Sequence, residues 1–193
     1  MKKLLLLGGG HAHVHVLHAL AQQRLAAAQV MLVTPFARQV YSGMVPGLVA
    51  GHYTVDACAI PLAPLAARAG VALVEAGATG LDAAAQRVTL SDGSTLAYDV
   101  LSIDTGAVMD RDAIPGAREH GLFVRPIERF TVLWQSLLAL SAQRALSVVV
   151  VGGGAAGVEL VMALQHRLGE RARLSLVTGG PAPVATHPAG VQR

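Results

Sequence analysis

The chain has 193 residues, 53% of them hydrophobic and 14% charged, which excludes a disordered polymer and leaves room for one domain or two small ones. Net charge is +3 and the first carboxylate is Asp56, so the basic amino-terminal stretch suits an anionic small molecule. It lacks the Lys/Arg clusters and interleaved aromatics of a nucleic-acid surface, and nucleic acid is excluded as a partner.

With aromatics at 4%, the core must be aliphatic, and its Val, Leu and Ala runs suit strands covered on both faces by helices. The chain opens MKKLLLL. Four leucines are too few for a secretory h-region of about 7–15 apolar residues. No stretch approaches the roughly 18 apolar residues of a membrane span. The expectation is a cytoplasmic protein with no integral membrane segment in this part.

Leu4–Leu7 reads as a strand and Gly8-Gly9-Gly10 as a tight turn. Beyond it Val14, Leu17, Ala21 and Leu25 recur at steps of three and four, the stripe of a helix. VMLVT (30–34), β-branched and short, follows as a strand. Together these open a βαβ unit, whose crossover lays a helix on a parallel sheet. His11, His13, His15 and His18 decorate the helix, with His11, His15 and His18 on one face. The pattern H-x-H-x-H raises the alternative of a metal-dependent hydrolase using His11 and His13.

Cys58 is the one cysteine, so neither a disulfide nor a C-x-x-C redox or zinc motif can form within the chain. It reads as a small buried hydrophobe in a reducing compartment. Residues 71–106 run VALVE, RVTL, the turn SDGS and LAYDVLSIDTG. Asp92-Gly93 signals a hairpin, and the segment reads as a small β meander feeding a buried strand, Val100–Ile103. The stretch from Met109 to Val124, with Pro115-Gly116, is the candidate linker. A helix is expected from about Ile127 to Ala145, started by Pro126 and striped by Leu133, Leu137 and Leu140.

The last part repeats the first. GGGHAHVHVLHAL from Gly8 aligns with GGGAAGVELVMAL from Gly152 at a constant offset, and LVT ending at Thr34 aligns with LVT ending at Thr178. The second copy keeps the three leading glycines but has Ala155, Gly157 and Glu159 where the first has His11, His13 and His15. The shared element is the glycine turn, and the imidazoles are local to the first copy. Gly152-x-Gly154-x-x-Gly157 is a complete dinucleotide fingerprint. Its glycines serve the tight turn, the close approach of backbone to a pyrophosphate, and helix–strand packing. The helix end then offers free N–H groups and partial positive charge to the phosphates. In the first loop His13 stands where the third glycine belongs: either the helix stands off the sheet, or the imidazole fits a gap. The strand-end position that usually carries an acid for the ribose holds Thr34 and Thr178.

The motifs GGGHAHV, YSGMVPG (41–47), LAYDVLSIDTG (96–106) and VVVVGGGAAGVEL (148–160), in that order, resemble the pyridine nucleotide-disulfide oxidoreductase superfamily. The likeness is strongest to the branch near type II NADH dehydrogenases and the flavoproteins fused to selenide, water dikinase. It implies an α/β, FAD/NAD(P)-binding Rossmann-like fold with a small β meander, followed by the first part of a second Rossmann-like unit. The implied domains are 1–118 for FAD and 119–193 for NAD(P). By that resemblance Gly8, Gly10, His11 and Ala12 face the FAD pyrophosphate, Thr34 its ribose, Arg38 its phosphates, and Ala78 the adenine through its backbone. Thr105 and Gly106 match the family's ATG motif, with Asp104 in place of the alanine. Gly152, Gly154 and Gly157 bind NAD(P)H. Glu159 matches a glutamate near the nicotinamide, while an acid near a helix start is also favoured by the dipole; both readings stand.

No catalytic side chain and no metal ligand is implied. The family's redox cysteine pair is absent, which points to a quinone or other small electron acceptor. Family members are about twice as long, and a nucleotide-binding half needs βαβαβ. The expectation is therefore a piece of a larger enzyme, a homodimer when complete. Alone it binds FAD weakly or not at all and oxidises little NADH. A non-catalytic nucleotide-binding module is the second alternative.

Overall fold

In the computed structural model, which describes residues 1–192, the elements in chain order are as follows. The first half holds β1 (Lys2–Leu7), α1 (His11–Gln22), β2 (Ala28–Thr34), β3 (Arg38–Val40), α2 (Val45–Ala50), β4 (Ala59–Pro61), α3 (Leu62–Ala69) and β5 (Ala72–Glu75). There follow β6 (Ala78–Asp82), β7 (Arg87–Leu90), β8 (Thr95–Ala97), β9 (Val100–Ile103), α4 (Ala117–His120), α5 (Ile127–Gln143), β10 (Leu146–Val151), α6 (Ala155–Leu168) and β11 (Ala172–Val177). They form two compact units. One comprises Met1–Val40 and Ala59–Glu128; the other comprises Tyr41–Cys58 and the residues from Arg129 onward.

The first unit is built on a parallel sheet of order β5-β2-β1-β9. Alternation along its strands separates two cores. Leu6 and Leu32 face α1 and α3, packing with Leu17, Leu20, Leu62, Leu65 and Ala66. Leu5, Leu7 and Val33 point the other way, onto Val88 and Leu90. Helices thus cover one face only. The antiparallel meander β6-β7-β8 covers the other, correcting the expectation of helices on both. The β7–β8 turn is the expected hairpin: Gly93 has φ 84°, and the Asp92 carboxylate accepts from the Ser94 N–H at 2.9 Å.

Three further expectations are corrected in this unit. VALVE is no part of the meander. Its strand β5 pairs parallel with β2, because α3, ended by Gly70 in the left-handed conformation, supplies the crossover that parallel pairing requires. Val100–Ile103 is an edge strand whose Val100 and Ile103 are exposed. Leu25 lies beyond the end of α1 and is exposed; the helix buries His13, Leu17 and Leu20 instead. In the linker region α4 makes one short helical turn, with Arg118 ion-paired to Asp112.

In the second unit β10 and β11 pair in parallel, with Val148 opposite Leu174 and Val151 opposite Val177. Helix α6 buries Ala163, Leu164 and Leu168, and α2 packs on α6. Gly51, at φ 88°, ends α2 in the left-handed conformation that favours glycine, beside the Arg167 side chain. The rings of His52 and His166 sit 5.2 Å apart at the same contact. Val149, Val151 and Val177 are exposed on one face of the pair. Helix α5 buries Ile127, Phe130, Thr131, Trp134 and Ser141, whereas Leu133 and Leu140 of the expected stripe are exposed. Both stripes obey helical spacing. The winning face carries the two aromatic rings, which bury the most surface and stack with centroids 6.4 Å apart.

Candidate functional site

The two glycine loops leave the carboxyl ends of parallel strands and enter helices by the same route. Gly8 N–H donates to the Val33 carbonyl at 2.7 Å, and Gly152 N–H to that of Val177 at 2.8 Å. Both glycines hold positive φ, 96° and 126°. Gly10 and Gly154 are the N-caps, at φ −71° and −75°, with no side chain of their own to cap the helix. Each carbonyl then accepts the first helical bond, from Val14 at 3.0 Å and Val158 at 3.1 Å. First-turn N–H groups therefore point out of each strand end, the arrangement that receives phosphate oxygens.

The second loop is open. A Cβ placed on Gly152 or Gly154 meets nothing within 4 Å. One on Gly157 would collide with the Gly152 carbonyl oxygen, so the third glycine is required by helix–strand packing. Glu159 is exposed and lies beyond the first turn of α6, which carries no acid. The helix dipole acts within that turn, so it does not account for this glutamate. Val184 returns to the loop, its N–H donating to the Gly153 carbonyl at 2.6 Å with φ 47°, a conformation rare for a β-branched residue. Nothing in the local sequence announced that contact.

The first loop is closed in a different way. His13 is 1% exposed. Its Nδ1 lies 2.6 Å from the Gly8 carbonyl oxygen, and its Nε2 lies 2.9 Å from Ser102 Oγ on β9. A carbonyl only accepts, so Nδ1 carries the proton. The imidazole fills the gap left for it and ties the loop to the neighbouring strand. Of the two readings of this position, the one in which the imidazole fits a gap holds, because the helix turns His13 into the sheet. His11, His15 and His18 lie elsewhere, along a groove of about 490 Å³ with Val14, Ile60, Pro61, Pro64, Leu65 and Arg68. His11 and His13 therefore do not converge. No group of three or more metal-binding side chains is assembled among the described residues.

Around the first loop, Ala12 is exposed in the opening turn of α1, Ala78 is exposed at the start of β6, and Arg38 opens β3 half-buried. Thr105 and Gly106 follow β9, exposed, with Gly106 at φ 74°. A Cβ on Gly8 would strike the Asp104 carbonyl and Thr105 Cα, so only glycine lets this turn approach β9. Thr34 is 3% exposed. Its hydroxyl accepts from the Phe36 N–H at 3.4 Å and lies under Gly9, supporting the loop from below. The sequence missed Ser102 and Asp104 as loop partners; they belong to β9 and its exit, close to the loop in space and distant in the chain. Burial pushes the Cys58 thiol above its usual value, so it remains protonated and unreactive at neutral pH.

The family described as pyridine nucleotide-disulphide oxidoreductase matches residues 2–191. A demethylphylloquinone reductase of Synechocystis sp. is 30% identical over 195 residues, covering 96% of this chain and 48% of the relative. An NADH dehydrogenase-like protein of Mycobacterium tuberculosis is 38% identical over 123 residues, 61% of this chain and 31% of the relative. Among solved structures, NDH2 from Plasmodium falciparum in complex with NADH matches with a TM-score of 0.80 at 18% identity, over 99% of this chain and 44% of that one. The chain thus spans about half the length, or less, of these relatives. No helix among the described residues is long and apolar enough to cross a membrane.

Proposed function

The chain belongs to the pyridine nucleotide-disulphide oxidoreductase family, and from that premise we propose that it is the amino-terminal part of a FAD-dependent NAD(P)H oxidoreductase. The reaction is hydride transfer from NAD(P)H to FAD, with the electrons passed to a quinone or another small acceptor. The observation that carries this reading is the duplicated loop: two strand ends with the same backbone bonds, each aiming first-turn N–H groups outward.

The residues of the second loop fit a diphosphate: the space at Gly152 and Gly154 is free of protein atoms, and the following helix end supplies donors. We assign residues 119–193 to NAD(P)H, with Gly152, Gly154 and Gly157 at the diphosphate and Glu159 toward the nicotinamide. Residues 1–118 are assigned to FAD, with Gly8, Gly10, His11 and Ala12 at its diphosphate. Arg38 supplies positive charge, Ala78 backbone contact at the adenine, and Thr105 and Gly106 the exit of β9; Thr34 supports the loop at the ribose side. When bound, the flavin supplies the redox chemistry, and the protein's part is orientation and electrostatics. No side chain is assigned as nucleophile or general base. These 193 residues hold one cysteine, which is buried, and so no redox pair of their own; this and the relative named as a demethylphylloquinone reductase support a small-molecule acceptor. The cytoplasm is the assigned compartment, and a homodimer the assigned state of the complete enzyme.

The test is NADH oxidation coupled to quinone reduction by the complete gene product, compared with its Gly154→Val variant. The reading expects turnover that the variant loses, and little turnover from residues 1–193 alone. Turnover untouched by Gly154→Val contradicts it.

A further inference from the structure

The two loops share backbone geometry, yet the space above their second glycines differs. At Gly154 it is empty to 4 Å. At Gly10 it is filled: a Cβ placed there would fall on Cγ, Oδ1 and Oδ2 of Asp104. The placement is fixed from several sides. Asp104 N–H donates to the Leu7 carbonyl at 2.7 Å, its carbonyl accepts from Gly10 N–H at 3.1 Å, and its Oδ2 accepts from His13 N–H at 3.1 Å. A carboxylate thus occupies the approach that a missing Cβ exists to leave open, and it takes one of the first-turn donors for itself.

The geometry points to Asp104 as a built-in anion that weakens diphosphate binding at the first loop, making it the residue that sets the affinity of this site for FAD. The inference rests on the assignment of the first loop to a dinucleotide. An incoming diphosphate meets a like charge close by, and it must either displace the side chain or share the helix end with it; both lower affinity. The second loop, without an acid over Gly154, serves as an internal reference within the same chain.

The experiment titrates ADP, the diphosphate-bearing half of FAD, into the complete gene product freed of bound nucleotide, while the amide signals of both loops are followed by NMR. Asp104→Asn keeps the bulk and removes the charge; Asp104→Ala removes both. The account expects the dissociation constant read at Gly8–His13 to fall about tenfold or more in Asp104→Asn, and at least as far in Asp104→Ala, as expected for relief of a like charge within a few ångströms. The constant read at Gly152–Gly157 stays unchanged and reports an intact fold. The ratio of wild type to Asp104→Asn shrinks as salt rises, since screening acts on the repulsion alone; a purely structural role for Asp104 leaves that ratio constant. Equal first-loop constants in wild type and variants, or no first-loop response in any of them while the second loop responds, overturns the role of Asp104. Silence of both loops in every protein overturns the dinucleotide reading, and the inference with it.

Discussion

The imidazole Nδ1 of His13 lies 2.6 Å from the carbonyl oxygen of Gly8, so a side chain performs at the first loop the task that a missing side chain performs at the second. In the second loop Gly157 lies directly against the Gly152 carbonyl, and packing is achieved by having no Cβ. In the first, the ring occupies the gap and satisfies both that carbonyl and Ser102.

Removing the ring therefore has a defined cost. His13→Ala leaves the Gly8 carbonyl without its ring donor, Ser102 Oγ without its ring contact, and a cavity beneath the loop. We expect a loss of about 2–4 kcal/mol in urea denaturation. A change within about 0.5 kcal/mol, the size of an ordinary surface effect, shows that the ring is not a structural bridge.

The glycines of the second loop separate fold from binding. Gly157→Ala drives a Cβ into the Gly152 carbonyl, an overpacking worth about 2–3 kcal/mol of stability. Gly154 has φ −75° and free space, so Gly154→Ala keeps the fold to within about 1 kcal/mol. The new methyl obstructs a phosphate instead, and ADP shifts at Gly152–Gly157 should weaken. Unchanged shifts in Gly154→Ala mean that the diphosphate does not lie over this glycine.

Much of this was legible in the chain. Repetition of the glycine run with its flanking strands locates both loops, because a tight turn followed by a close approach constrains residue type at fixed spacing. What escaped notice depended on contacts distant in sequence. The partnership of His13 with Ser102, and of Asp104 with Gly10, arises only once β9 lies beside β1. The four-residue run of β5 has too little periodicity to reveal its sheet, which is decided by the crossover through α3. On α5 two stripes fit helical spacing, and the leucines do not reveal the choice of face, because Phe130 and Trp134 have more surface to bury.

That choice can be measured. Trp134→Ala should cost about 3–5 kcal/mol, while Leu133→Gln, on the exposed face, should stay within about 0.5 kcal/mol of the parent. Equal losses would place the buried face where the leucine spacing put it.

Asp99 gives a pH signature. Its carboxylate accepts from the Lys3 N–H at 2.7 Å and from Lys2 Nζ at 3.2 Å, where the chain passes from the meander into β9 beside β1. The Lys3 backbone bond, followed by the Lys2 side chain, holds its pKa below the usual carboxylate value. A depressed folded value means stability that is present above the unfolded value, about 3.9, and lost as pH falls through the folded one. Asp99→Asn should therefore lower the denaturation midpoint at pH 7, with the gap to wild type closing as the solution is acidified below about pH 4. A gap that persists unchanged in acid means that the carboxylate charge is not what holds this junction.

Whether both strand ends hold dinucleotides is decided by the identity of whatever the complete gene product carries when purified and heated. The account predicts a yellow protein that releases stoichiometric FAD. A colourless protein that releases no flavin, or one that yields a bound metal lost on substituting His11 and His13, contradicts it.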